Sequence, residues 1–459
     1  MAEQTAAKPN RLGVDPIPTL LLSLAVPSVV ANLFDSVYNI IDQIYIGNLV
    51  GFLGNAATNV AFPLTTLCMA IGFMAGVGGA AGFNLNLGQK KTDEARQIVG
   101  SSFSFMWISG IIICLLTRIF LKPLMISFGA TDEILPYALE YASITLWGIP
   151  FLVFMTGAAP LVRGDGNAKY SMFAVVFGAI LDALLDYFFM GVFGWGIKGA
   201  AWATVIAQAV SAGLFVLYFP RYKNVHFVAS DFIPRWHYVR LVCKLGFASF
   251  AFMASSLVVQ VVLNNLLKTY GALSVYGAEV TIAVAGIMQK INALFVAVVT
   301  GIVQGSQPIC SFNYGAQKYA RVRSTLRLLL TYTTGFSIVV FILLQCFPRQ
   351  VIGLFGEGSP EYFEFGEMYV RSFTAALFLN GTQTSSTTFF PSIGKAWKGT
   401  VISVSKQLGF LVPLLLILSH FFGLTGILFA TPTADVLSFI VAVYFLVNEL
   451  RQMPKEDLA

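Results

Sequence analysis

The chain has 459 residues, 57% of them hydrophobic and only 11% charged, with a net charge of +6 at neutral pH. Soluble domains carry about 25% charged residues, so a soluble globular protein is excluded. A nucleic-acid binder is excluded too, because the lysines and arginines lie in short connections rather than on one basic surface.

Twelve apolar runs, each long enough to cross a hydrocarbon core of about 30 Å as a helix, follow one another at 17–46, 52–83, 98–121, 134–159, 168–193, 196–219, 238–267, 276–309, 322–346, 364–390, 399–420 and 424–447. The expected fold is therefore an all-α membrane protein. The first run is too long for a signal-peptide core and has no small-residue cleavage pattern, so it reads as a retained helix. Lys8, Arg11, Lys90, Lys91, Arg96, Arg163, Lys169, Lys318, Arg321, Arg323, Arg327, Lys395, Lys398, Arg451 and Lys455 share one face with the central loop. The opposite loops hold Arg118, Lys122, Lys198, Lys268 and Arg349. Positive residues stay inside, which places both termini in the cytoplasm and the protein in a cell inner (plasma) membrane.

The longest polar connection, RYKNVHFVASDFIPRWHYVR at 221–240, parts six runs from six. Expected units are an N-terminal lobe over 1–220, a cytoplasmic loop over 221–237 and a C-terminal lobe over 238–459. FNLNLGQKKTDEAR (83–96) resembles CSFNYGAQKYARVR (310–323), and GWGIKGAAWAT (194–204) resembles FFGLTGILFAT (421–431). Both pairs keep one shift of 227 positions, from Gly88 to Gly315 and from Gly199 to Gly426. Two matches at one offset indicate an internal repeat. With six runs per repeat, the two lobes enter the membrane in the same sense, related by a pseudo-twofold axis along its normal, a plan that serves alternating access.

Acids occur inside the first run (Asp35, Asp42), the fifth (Asp182, Asp186) and the last (Asp435), with Glu279 near the end of the eighth. An aspartate at the bilayer centre costs about 2.5 to 3.5 kcal/mol, so Asp182 and Asp186 would together cost about 5 to 7 facing lipid. Spaced at i and i+4, they share one helical face, which must turn toward the bundle interior. Together with Asp42 and Asn39 they form a candidate cation-coupling site for a proton, or for sodium with Asp42 and Asp186 as metal ligands. The sequence leaves that choice open, along with the plainer reading that the aspartates only fix packing. Asp435 and Glu279 read as structural. Lys290 and Lys406 also lie at depth without an identifiable partner acid, and snorkelling or pairing with helix carbonyls is the simpler reading. The glycine-rich GFMAGVGGAAGFN (72–84) reads as close helix packing, and the five cysteines show no metal or disulfide spacing. With only His226, His237 and His420 and no nucleophile elbow, enzyme activity is not expected.

The stretches YNIIDQIYIG (38–47), RGDGNAKY (163–170), the run from Asp186 through GIKGAAWATVIAQ (to 208), GSQPICSFNYGAQKYARVR (305–323) and PSIGKAWK (391–398) together resemble the multidrug and toxic compound extrusion (MATE) family over essentially the whole chain. The resemblance implies a twelve-helix, two-lobed antiporter that exports organic cations and amphipathic drugs in exchange for protons or sodium ions. It places Asp42, Asp186, Asn39 and Thr204 at the N-terminal cation site of the DinF-like branch, with Asp35 and Asp42 toward substrate. Asp182 departs from the asparagine common at its position. Runs 7 and 10 lack the acids of the NorM-like C-terminal site, which locates coupling in the first half. Expected partners are drug-like small molecules and membrane lipids, with no nucleic acid and no cofactor beyond the coupling ion, and the chain is expected to act as a monomer. The alternative is a flippase for lipids or lipid-linked oligosaccharides, which would need a strongly cationic cavity for pyrophosphate, whereas this first half is acidic.

Overall fold

The computed structural model describes residues 10–354 and 359–457, so Lys8 of the basic lead lies outside the described residues. In a bilayer every backbone N–H and C=O must be satisfied within the segment, which leaves helices as the economical solution for runs this apolar. Twelve membrane helices result: α1 (Ile17–Leu49), α2 (Phe52–Gly88), α3 (Thr92–Ile119), α4 (Leu135–Gly164), α5 (Ala168–Val192), α6 (Ile197–Val216), α7 (Trp236–Ala272), α8 (Gly277–Gly315), α9 (Tyr319–Cys346), α10 in two pieces (Pro360–Phe373 and Leu377–Ser392), and α11 and α12, which divide 396–452 at Gly423. They form two six-helix lobes.

The backbone repeats where the sequence does. Lys90 and Gln317 are the two non-glycine residues with positive φ among those described, at 63° and 58°, and they stand 227 positions apart. Each ends a long helix in the same way: Lys91 N–H donates to Asn86 O at 2.9 Å and Lys318 N–H to Asn313 O at 2.8 Å, the wrap-back bond of a Schellman cap. Gly196 and Gly423, again 227 apart, share φ 58° and turn the chain between α5 and α6 and between α11 and α12.

The tenth run is not the continuous helix expected over 364–390. It breaks at Thr374–Ala376, and the side-chain amide of Gln345 on α9 donates to Arg371 O at 2.9 Å, meeting one of the carbonyls at the end of the first piece. The central loop also differs from a free polar linker. Asp231 is fully buried, taking Arg96 Nε at 2.9 Å, Gln97 Nε2 at 2.8 Å and Val228 N–H at 2.8 Å. This ties the loop to α3. In the other lobe the repeat-related Arg323 donates through Nη2 to Leu450 O at 2.8 Å and clasps the segment leaving α12.

The lobes meet along α1 with α8 and α2 with α7. A Cβ built on Gly78 would lie 2.0 Å from Val242 O, one on Gly246 1.8 Å from Met74 O, one on Gly88 2.1 Å from Phe312 O and one on Gly315 2.1 Å from Leu85 O. The glycine-rich stretch is thus a packing surface, and within the first lobe Gly76 similarly abuts Gly157 O at 2.3 Å. Arg321 Nη2 donates to Asp15 O at 2.7 Å, and Asn313 Nδ2 to Leu12 O at 2.8 Å. All these contacts lie toward the basic loops, so that end is shut. Farther along, Asn32 reaches across to Ala297 O at 3.3 Å, and beyond it Phe34, Val37, Asn39 and Ile44 of α1 are exposed.

Lys406 does have a partner acid, contrary to the sequence reading. Its Nζ lies 2.8 Å from Asp435 Oδ1, 2.6 Å from Asn380 Oδ1 and 3.0 Å from Gln383 Oε1. The turn at Gly423 folds α11 against α12 and brings the two charges to similar depth, and a π-helical turn over Ser405–Leu411 carries the lysine. Asp435 is accordingly structural, as its sequence context suggested. Glu279 is exposed and Lys290 half-buried on α8.

Two outcomes test this packing. Gly246→Ala should lower the unfolding temperature in detergent by several degrees, because a methyl pressed against the backbone costs about 1 to 3 kcal/mol. Gly213→Ala, whose new methyl meets nothing within 4 Å, should leave it unchanged or slightly raised. Lys406→Met, which strands Asp435, should destabilise by about 3 to 5 kcal/mol, and the double variant Lys406→Met/Asp435→Leu should recover most of that loss. Chemical unfolding in one detergent measures both.

Candidate functional site

Inside the first lobe, α1, α2, α4, α5 and α6 enclose a cavity of about 210 Å³, to which α8 adds Gln304. The register of α1 decides what reaches it. Asp35, Tyr38, Asn39 and Asp42 follow at spacings of three, one and three and line one side. Pro27 lies deeper in the same helix, where it removes one N–H from the helical ladder and weakens it against bending. On α5, Asp182 lines the cavity, while Asp186 is fully buried just behind it. A π-helical stretch over Tyr187–Val192 begins directly after Asp186, so the extra residue per turn falls at the acid.

The three central acids do not converge equally. The carboxyl groups of Asp42 and Asp186 are within hydrogen-bonding range of one another, and Asp182 instead takes the hydroxyl of Tyr38. Tyr141 of α4 and Thr204 of α6 bond to each other beside them, and Thr204 also donates to Ala200 O at 3.1 Å. The expected cluster is therefore a pair plus a neighbour. Among the described residues no three His, Cys, Asp or Glu side chains gather closely enough to hold a metal ion. Asn39 lines the cavity but commits its amide to Asp35 O at 2.7 Å, and Asp35 is half-buried at the wall.

The charge of this site is uncompensated. Asp42 Oδ1, Asp182 Oδ1 and both carboxyl oxygens of Asp186 are buried without a hydrogen-bond donor. No lysine or arginine among the described residues forms an ion pair with any of them, in contrast to Asp435 in the second lobe. Buried carboxylates in that state are expensive, and a proton or a bound cation removes the expense. Two carboxyl groups facing each other satisfy one another when one of them carries the proton. The arrangement can hold and release a small positive charge.

Sequence reasoning misses Tyr38, Tyr141 and Arg163. Tyr38 is within its reach, since it sits one turn before Asp42. Tyr141 and Arg163 arrive from α4, whose contribution only the tertiary packing reveals. Arg163 reads in the sequence as a basic loop residue, but it occupies the last turn of α4, is 5% exposed and lines the cavity. The loop anchor is its neighbour Asp165, which accepts from Tyr218 Oη at 2.8 Å, Lys223 N–H at 2.9 Å and Asn224 Nδ2 at 2.7 Å. Burial holds the Asp165 pKa above the usual carboxylate range despite these donors.

Comparison with known proteins agrees with this architecture. The family model described as MatE matches residues 27–188 and 247–417, one segment in each lobe. The multidrug export protein MepA of Staphylococcus saprophyticus is 23% identical over 447 residues, covering 95% of this chain and 96% of its own. Among solved structures, the MATE multidrug transporter DinF-BH is 32% identical, covers 97% of this chain and 98% of its own, and superposes with a TM-score of 0.89. A multidrug resistance MATE family transporter of the MOP superfamily, in an outward-facing conformation, superposes with a TM-score of 0.88 at 23% identity and covers 98% of both chains. With both lobes matched by the family model and the fold shared from end to end, the chain belongs to the MATE family of membrane transporters.

Proposed function

We propose that this chain exports amphipathic organic cations across a cell inner membrane by alternating access, driven by proton entry at Asp42 and Asp186, on the DinF-like plan. The observation that carries the reading is the pair of facing carboxyl groups, buried beside a cavity with four donorless acid oxygens among them and Asp182. The names of the relatives, which are multidrug exporters, support the substrate class.

A proton arriving from outside bridges Asp42 and Asp186 and draws α1 toward α5. Because α1 also forms the largest contact with the second lobe through α8, its displacement changes both the cavity and the seam between lobes, with Pro27 as the point of least resistance. Cationic substrate loses its attraction to the neutralised acids and leaves outward. With the basic-loop end shut, the described form is the one that exchanges with the outside, and both termini are cytoplasmic. One elementary charge crossing 100 mV supplies about 2.3 kcal/mol, and 1.4 kcal/mol is tenfold. One coupled proton therefore sustains a gradient of about 40-fold in a neutral substrate.

Purified protein in liposomes should expel a fluorescent organic cation under an imposed pH gradient and do so far less under a sodium gradient alone. Asp42→Asn and Asp186→Asn should each lower coupled flux at least about tenfold at normal protein yield. Undiminished pH-driven flux in either variant would remove the pair from the mechanism, and sodium-driven flux alone would reassign the ion.

A further inference from the structure

The cavity contains one charge for which proton coupling has no use. Arg163 lies at its basic-loop end, and its hydrogen bond among the described residues is a long one, from Nη1 to Ser171 Oγ at 3.4 Å. No acid among the described residues forms an ion pair with it. A guanidinium offers five N–H donors in a planar fork suited to a carboxylate. Burying one at 5% exposure without a counter-ion is costly, and an anion delivered through the cavity would relieve that cost. Thr156, Gln208 and Gln304 line the same cavity and supply neutral polar groups.

The helices fix the distance between this cation and the acids. Asp42 and Asp186 mark one level, since their side chains meet. At 1.5 Å rise per residue, Asp35 lies about 10 Å deeper along α1 and Ser171, beside Arg163, about 22 Å deeper along α5, leaving about 12 Å between Asp35 and the guanidinium. The cavity is thus negative at its middle and positive at its floor.

We propose that Arg163 is an anion subsite, taking the carboxylate of amphoteric amphiphiles whose cationic group faces Asp35. This rests on the reading of the cavity as the place where substrate binds. It selects among substrates by an arm of matching length: a cation bearing a carboxylate about 12 Å away meets both charges, and one with a short arm meets only the acids.

Equilibrium binding to the purified full chain in detergent, with no ion gradient, tests it. The probes are a xanthene cation carrying a carboxylic acid on a six-carbon arm, the same dye as its primary amide, and a version with the acid on a two-carbon arm. One charge-assisted bidentate contact should make the long-armed acid bind about tenfold tighter than its amide. The short-armed acid should show no such preference. Arg163→Gln should bring the acid-to-amide ratio to about one, with Arg163→Lys keeping part of it. Equal affinity of acid and amide for the wild-type chain, equal preference for both arm lengths, or an undiminished ratio in Arg163→Gln would overturn the subsite. The wild-type comparison decides the matter even where the glutamine variant does not fold. If both dyes bind equally, only the subsite falls; if neither binds, the cavity is not a drug site and the proposed function falls with it.

Discussion

Carboxylates removed from water without a cation beside them set the terms for this molecule. In the first lobe Asp42, Asp182 and Asp186 are surrounded by tyrosine, threonine and apolar side chains rather than by lysine or arginine. Coulombic attraction grows as the dielectric falls, so whatever small cation arrives there is held strongly, and its departure changes the balance of forces on α1 and α5. The rest of the structure either builds this pocket or couples it to the opposite lobe.

The second lobe shows what the same scaffold does when the charge is balanced. Asp435 meets Lys406, and Asn380 and Gln383 complete the network. A satisfied network of this kind rigidifies its surroundings. One lobe is thus electrostatically poised and the other settled, although their backbones turn at the same places. Between them, glycines in close contact with facing carbonyls make a thin, shape-dependent seam, which favours discrete packed arrangements over gradual deformation.

Much of this was legible in the sequence. Twelve hydrophobic runs gave twelve helices, and the shift of 227 seen in FNLNLGQKK and CSFNYGAQK reappears as matching left-handed residues at Lys90 and Gln317. The pairing of Asp42 with Asp186 followed from the cost of leaving acids in lipid. What was not legible depends on how helices pack. The interruption of α10 carries no proline or glycine at Thr374–Ala376 and is tolerated because Gln345 reaches it from α9. Lys406 and Asp435 are 29 positions apart and meet because the chain reverses at Gly423. That reversal was available in principle, since Gly423 corresponds to Gly196 in the repeat. The separation of Asp182 from the other two acids, by contrast, depends on the exact aim of Tyr38.

The burial of Asp231 against α3 has a consequence for how the halves are joined. Because the connecting segment adheres to the first lobe as far as Phe232, the free tether shrinks to Ile233, Pro234 and Arg235, all exposed. Each lobe carries its own core on either side of that tripeptide. Covalent continuity therefore contributes little to holding the halves together beyond proximity, and the boundary between two ancestral copies of one gene segment can be located there to within three codons.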